Sequence, residues 1–147
     1  MLITKVFTFD AAHKLTDYYG KCERLHGHTY KLEVTVEGPV HKNGMVVDFV
    51  LLKRIVKRRV LEKLDHHYLN EVVENPSSER LASFIWGELV GLEELLHEEI
   101  EDPNLSDDLK AYLEDTKGLK REAQEGVKLY EIKLWESPTS FVAYRGD

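Results

Sequence analysis

The hydrophobic and polar positions of the chain alternate first at its amino end. Phe7, Phe9, Ala11 and His13 share one face of a strand predicted over residues 2–13. A second strand is predicted over 26–37. His26, His28, Tyr30, Leu32, Val34 and Val36 lie on one face, and Thr29, Lys31, Glu33, Thr35 and Glu37 on the other. Two more strands, 127–136 and 139–145, flank Ser137-Pro138. The first of them sets Tyr130, Ile132, Leu134 and Glu136 on one side. Between the strand pairs the period becomes helical. Asp48 caps a helix over 49–63 whose inner stripe is Phe49, Leu52, Ile55, Val56 and Val60, with Lys53, Arg54, Lys57 and Arg58 outside. Asn75-Pro76-Ser77-Ser78-Glu79 starts a second helix. Leu81, Ala82, Ile85, Trp86, Leu89, Leu92 and Leu96 carry it to about residue 100.

Punctuation fills the rest. Gly38-Pro39 and Asn43-Gly44 mark a loop, and Met45-Val46-Val47 reads as a short extended piece. Asp65-His66-His67-Tyr68-Leu69-Asn70 is a polar cluster between the helices. About 101–126 reads as a surface excursion, with a short helix capped by Ser106 and closed by Gly118. The order strand, strand, helix, helix, strand, strand predicts an α+β fold, a four-stranded antiparallel sheet with two helices packed on one face. Its open edges invite self-association. A length of 147 residues predicts a single domain, 1–147.

Composition narrows the partners. The chain is 42% hydrophobic and 32% charged, as in a soluble globular protein, with a net charge of −7 that argues against a nucleic-acid partner. Twelve Asp/Glu against four Lys/Arg fall in residues 93–125, a balance of −8, so the remainder is near +1. No apolar run reaches the length of a membrane span, and Met1-Leu2-Ile3-Thr4-Lys5 lacks the core of a signal peptide. The one cysteine cannot form an intrachain disulfide, which fits a reducing cytoplasm.

That cysteine belongs to the densest chemistry in the chain, Cys22-Glu23-Arg24-Leu25-His26-Gly27-His28. His26 and His28 project to the same side of a strand, about 7 Å apart. If strand 2–13 pairs with strand 26–37 through the loop 14–25, His13 joins them at one end of the sheet. Three histidines make an open, catalytic type of zinc site. Cys22 either closes that site as a fourth ligand or stays free as a thiolate base favoured by Lys21 and Arg24. Asp65-His66 is either an acid/base pair or a helix-capping cluster. His13 alone reads equally as a core histidine, and Glu136 as a strand-end carboxylate turned to water.

In order and spacing, these motifs resemble the 6-pyruvoyltetrahydropterin synthase and 6-carboxytetrahydropterin synthase family. They are Phe9-Asp10-Ala11-Ala12-His13, Cys22-x3-His26-Gly27-His28, Asp65-His66-x-x-Leu69-Asn70, Asn75-Pro76-x-x-Glu79, Glu136-Ser137 and Tyr144-Arg145-Gly146. The resemblance implies a T-fold whose sheets join edge to edge into a β-barrel, as a homohexamer built from two trimers. It implies Zn2+ on His13, His26 and His28, and Cys22 as the proton-abstracting thiolate. Asp65 and His66 become an acid/base relay, often supplied by a neighbouring subunit, and Glu136 anchors the pterin ring. The implied substrate is 7,8-dihydroneopterin triphosphate. Charge alone suggests Lys14, Lys21 or Arg24 for its phosphates.

The three-residue gap between Cys22 and His26 resembles the 6-carboxytetrahydropterin branch, which serves the queuosine pathway. The pyruvoyl branch tends to a longer gap. Glu23 resembles a third branch that releases 6-hydroxymethyl-dihydropterin, or it is a solvated loop residue. A non-catalytic pterin- or metal-binding module on the same fold is the reading of a different class.

Overall fold

A computed structural model describes residues 1–16 and 24–147 of the chain. Four strands form one antiparallel sheet in the order β1-β2-β3-β4: β1 (Leu2–His13), β2 (His26–Glu37), β3 (Lys128–Ser137) and β4 (Ser140–Tyr144). Antiparallel neighbours here follow directly in sequence except between β2 and β3, where the helices are inserted. The β1–β2 register places Phe9 opposite Tyr30, Ala11 opposite His28 and His13 opposite His26. The alternation of apolar residues fixes this register, because a slip of one residue would turn every buried side chain to the solvent face.

The inward face carries Phe7, Phe9, Tyr30, Leu32, Val34, Val36, Ile132 and Leu134 into one core. The outward face is polar and aromatic. Trp135 donates to Glu33 and stacks near Phe141, with Lys31 and Lys133 over the two rings.

The first helix is capped by the Asp48 carboxylate, which accepts from the Val50 amide at 2.8 Å. It runs as α1 (Phe49–Val56), a π-helical turn (Lys57–Leu61) and α2 (Glu62–Leu64). The π turn has a sequence cause. Val56, Val60 and Leu64 are all fully buried, and steps of four residues outrun a period of 3.6. A wider turn keeps them on one line. Phe49, expected inside, is 48% exposed at the first turn, under the Lys5 ammonium; Leu51 is buried instead.

The second helical stretch is broken, not continuous to residue 100. α3 (Ser78–Leu89) ends at Val90, Gly91 turns the chain at φ 80°, and α4 (Leu92–Ile100) starts again. Glycine carries that left-handed turn without a Cβ penalty. Ser77 caps α3, and its helix packs on β3 and β4. Met45-Val46-Val47 is a pair of bends, with Val46 and Val47 plugged into the core, not an extended piece. The excursion contains α5 (Asp107–Asp115), capped by Ser106, and a 3-10 turn (Arg121–Gln124). Buried Glu99 ties α4 to Arg54 of α1 and Arg58 of the π-helical turn, at 2.8 and 2.6 Å. No helix of the described residues is long and apolar enough to cross a membrane.

At the carboxyl end Tyr144 meets Trp86 edge-on, and Gly146 lies so close to the same indole that a Cβ would sit 2.7 Å from it.

Candidate metal centre and its surroundings

Strand register brings the three histidines to one end of the sheet. His13 is the last residue of β1 and His26 the first of β2, paired directly, and His28 follows two residues on along the same face. Their ring centroids lie 4.5, 4.8 and 5.0 Å apart, each pair edge to face. One ligand atom from each histidine and one Glu136 oxygen all lie within 4.8 Å of one another.

Hydrogen bonds fix which nitrogens face inward. His13 Nδ1 lies 2.9 Å from the Pro76 carbonyl, and His26 Nδ1 lies 2.7 Å from the Arg24 carbonyl. A carbonyl only accepts, so both Nδ1 atoms donate, and in the neutral rings both Nε2 atoms carry lone pairs. Those two Nε2 atoms face each other at 2.9 Å. Two lone pairs at that distance repel unless a cation lies between or beside them. His28 Nε2 is buried with no partner in hydrogen-bond geometry, although Glu136 Oε1 is 3.1 Å away. Distance alone makes that an ion pair; the angles do not make it a hydrogen bond, so the nitrogen stays available. Burial, assisted by His13 and His26 and opposed by Glu136, holds His28 below the ordinary histidine pKa. That favours the neutral, ligating form. These residues therefore fit a metal cation. The outer bonds to Pro76 and Arg24 are the kind that orient metal-bound imidazoles.

Beneath the cluster Tyr30 is fully buried, stacked on Phe9, with its hydroxyl 3.5 Å from His13 Nδ1. Burial, then the Glu136 charge, raises its pKa, so it stands as a neutral phenol.

Glu136 does not turn away to water. Glu136 continues the inward face two residues beyond Leu134, at a bulge where the β3–β4 register shifts between Trp135 and Ser137. Oε2 accepts from Ser78 Oγ, at the first turn of α3, at 2.5 Å. The carboxylate thus lies between the histidines and a cleft of about 260 Å³ that Leu15, Ser77, Glu79 and Phe141 help to line.

Asp65 and His66 lie at the same end of β1, on its outer edge. The Asp10 amide donates to Asp65 Oδ1 at 3.0 Å, and the His66 amide donates to the Asp10 carbonyl at 2.7 Å. Tyr68 continues this as a parallel bridge to Ala12. Asp65 Oδ1 is 3.0 Å from His66 Nδ1, a close charge contact without hydrogen-bond angles. His66 holds a left-handed backbone at φ 58°, which is uncommon for a residue with a Cβ. Its side chain is 77% exposed and makes no part of the histidine cluster in this chain. Instead it borders a groove of about 650 Å³ with Asp10, His28 and Thr29.

Two asparagines that the motifs included, but to which no role was given, support this end of β1. Asn70 grips both the amide and the carbonyl of Lys14, at 2.9 and 2.6 Å, and Asn75 accepts from the Thr16 amide. They anchor the chain just after His13. Cys22, Glu23 and Lys21 lie outside the described residues, as does most of the loop that carries them. Lys14 and Arg24 border that loop.

The 6-pyruvoyl tetrahydropterin synthase family matches residues 2–147 of the chain. Over 149 residues the chain is 35% identical to a 6-carboxy-5,6,7,8-tetrahydropterin synthase of Haemophilus influenzae, covering 97% of each. Over 80 residues it is 46% identical to a dihydroneopterin monophosphate aldolase of Pyrococcus furiosus, covering 53% of this chain and 65% of the other. The structure of Caenorhabditis elegans 6-pyruvoyl tetrahydropterin synthase superposes with a TM-score of 0.69 at 24% identity, covering 100% of this chain and 96% of that one. That likeness shows the same fold.

Proposed function

Because the chain belongs to the 6-pyruvoyl tetrahydropterin synthase family, we propose that it is a zinc-dependent lyase acting on 7,8-dihydroneopterin triphosphate. The observation that carries the reading is the convergence of His13, His26 and His28, two of them with their outer nitrogens committed to backbone carbonyls. Among the described residues the donor set is three imidazoles with the Glu136 carboxylate beside them, which suits zinc with a position left for substrate. When bound there, zinc supplies polarisation of the substrate's side-chain hydroxyl and carbonyl oxygens.

The residues of the chain do the rest. Cys22, as a thiolate, takes the proton from the side-chain carbon. His66, beside the Asp65 carboxylate, returns or removes protons at the side-chain oxygen. Because His66 is exposed in the single chain, it serves the site of a neighbouring subunit in the assembled barrel. Glu136 faces the cleft beside the histidines and accepts hydrogen bonds from the amino and ring N–H groups of the pterin. Ser78 fixes one of its oxygens for that task. The open edges of β1 and β4 fit assembly of the sheets into a barrel, a hexamer of two trimers.

The product we propose is 6-carboxy-5,6,7,8-tetrahydropterin, with acetaldehyde and triphosphate released. The spacing of Cys22 and His26 and the likeness to the Haemophilus influenzae protein support it. Glu23 and the likeness to the Pyrococcus furiosus aldolase favour one second reading, cleavage to 6-hydroxymethyl-dihydropterin. Mass spectrometry of the zinc-loaded protein incubated with dihydroneopterin triphosphate separates them. Acetaldehyde with the carboxylated pterin is the expected result; the hydroxymethyl or pyruvoyl pterin without acetaldehyde overturns the assignment.

A further inference from the structure

The backbone of β1 runs past His13 along a rail formed by residues 65–76. Every second residue from Asp10 to Thr16 is bonded to it. The His66 amide donates to the Asp10 carbonyl at 2.7 Å, and the Ala12 amide donates to the His67 carbonyl at 3.2 Å. Lys14 is held twice by the Asn70 carboxamide: its amide donates to Oδ1 at 2.9 Å, and its carbonyl accepts from Nδ2 at 2.6 Å. The Thr16 amide donates to Asn75 Oδ1 at 2.8 Å. Side chains replace the backbone of the rail at Lys14 and Thr16 for a local reason. The segment leaves the sheet edge at Leu69–Glu71, a 3-10 turn in which the Glu71 and Val72 amides bond to the Tyr68 and Leu69 carbonyls. A carboxamide carries the donor and the acceptor of a peptide group, so asparagine continues the ladder where the backbone no longer can. Asn75 holds a left-handed backbone at φ 44°, which asparagine adopts more readily than most residues. The next residue, Pro76, sets its carbonyl 2.9 Å from His13 Nδ1.

Resting on the zinc reading above, we propose that Asn70 and Asn75 are positioning residues of the metal centre. Neither belongs to the ligand cluster. They act through the backbone that carries His13. The pairing of β1 with β2 ends at His13 and His26. Beyond that pair, the bonds from Asn70 and Asn75 keep the chain extended along the rail. His13 therefore sits between two fixed points, Ala12 on one side and Lys14 on the other, with its ring held from Pro76. That is what places its Nε2 2.9 Å from His26 Nε2 before an ion is bound. Without the asparagines the strand end frays. The ion must then order its own ligand as it binds, and affinity falls.

The test titrates the metal-free full chain, in its native assembly, with Zn2+ against a chelating indicator. The visible absorption bands of the Co2+-loaded protein are recorded beside it, as a report on ligand geometry. Asn70→Leu keeps the shape and neutrality of the side chain and removes both bonds to Lys14. Asn43→Leu is the matched control. Asn43 also accepts from one amide, that of Met45, and donates to one carbonyl, that of Thr116, both at 3.2 Å, where the loop before α1 meets the end of α5. The expected result in Asn70→Leu is a fall in zinc affinity of about tenfold, the low end for groups that orient metal ligands, with shifted Co2+ bands. Asn43→Leu keeps the parental affinity and bands. Asn75→Gly suits the left-handed backbone and loses only the bond to Thr16. It lowers zinc affinity in the same sense, and it decides the matter if Asn70→Leu does not fold. Parental zinc affinity in either variant, or an equal loss in Asn43→Leu, overturns the positioning role while the parent still binds zinc. A parent chain that takes up no zinc overturns the metal centre itself, and this role with it.

Discussion

Replacing Glu136 by glutamine separates two jobs that its position allows. Glu136 Oε1 is 3.1 Å from His28 Nε2 and within ligand range of all three histidines, while Oε2 is held by Ser78. As the pterin anchor, the carboxylate offers two acceptor oxygens to two N–H donors of a neutral heterocycle. Glutamine keeps one acceptor and sets an NH2 against the other donor. One charge-assisted bond is lost, about 1.5–3 kcal/mol, and a donor is left facing a donor, about 1–3 kcal/mol more. The side chain is 31% exposed, so water relieves part of this and the low end applies. About 3 kcal/mol corresponds to a fall in kcat/KM of roughly a hundredfold to several hundredfold. The zinc content of Glu136→Gln stays that of the parent. Steady-state kinetics on dihydroneopterin triphosphate and metal analysis of the same preparation give both numbers. A variant that loses zinc, yet has parental kcat/KM once saturated with zinc, makes Glu136 a metal ligand and refutes the anchor.

The remaining variants divide the chemistry. Cys22→Ala keeps zinc and loses about 10²–10⁴ in kcat, the worth of one general base; loss of zinc instead would make Cys22 a ligand. Asp65→Asn also keeps zinc and lowers kcat, because the Asp65 carboxylate stands 3.0 Å from the His66 ring; unchanged kcat would remove the pair from the mechanism. Zinc affinity should fall as protons compete for the three imidazoles. Burial holds His28 below its ordinary value, so protons displace zinc from that ring only below about pH 6.5. Competition titrations with a zinc indicator read this, and a steep loss between about pH 8 and about pH 7 would contradict the burial argument.

The parts of this molecule governed by period were legible in its sequence. Strand alternation put His13, His26 and His28 on one face, and the 12-residue loop between two strands left one simple pairing, which is the register observed. What was hidden depends on contacts between distant segments or on backbone shape. The Pro76 and Arg24 carbonyls that set the imidazole tautomers carry no sequence signal, since every residue has a carbonyl. The Ser78 hydroxyl that holds Glu136 beside His28 comes from α3, 58 residues away in sequence. The stop at Gly91 was readable as a glycine within a helical pattern, but the unbroken leucine spacing across it argued for continuity. Asp65-His66 was visible as a pair, whereas its attachment to the β1 edge runs through the backbone of Asp10.

Turnover is proposed to depend on an ion held by the three histidines. Metal-free protein is titrated with zinc while consumption of dihydroneopterin triphosphate is followed. The rate is expected to rise linearly and level off at about one zinc per chain. Full turnover by metal-free protein, or a rate that zinc leaves unchanged, would rule out that dependence.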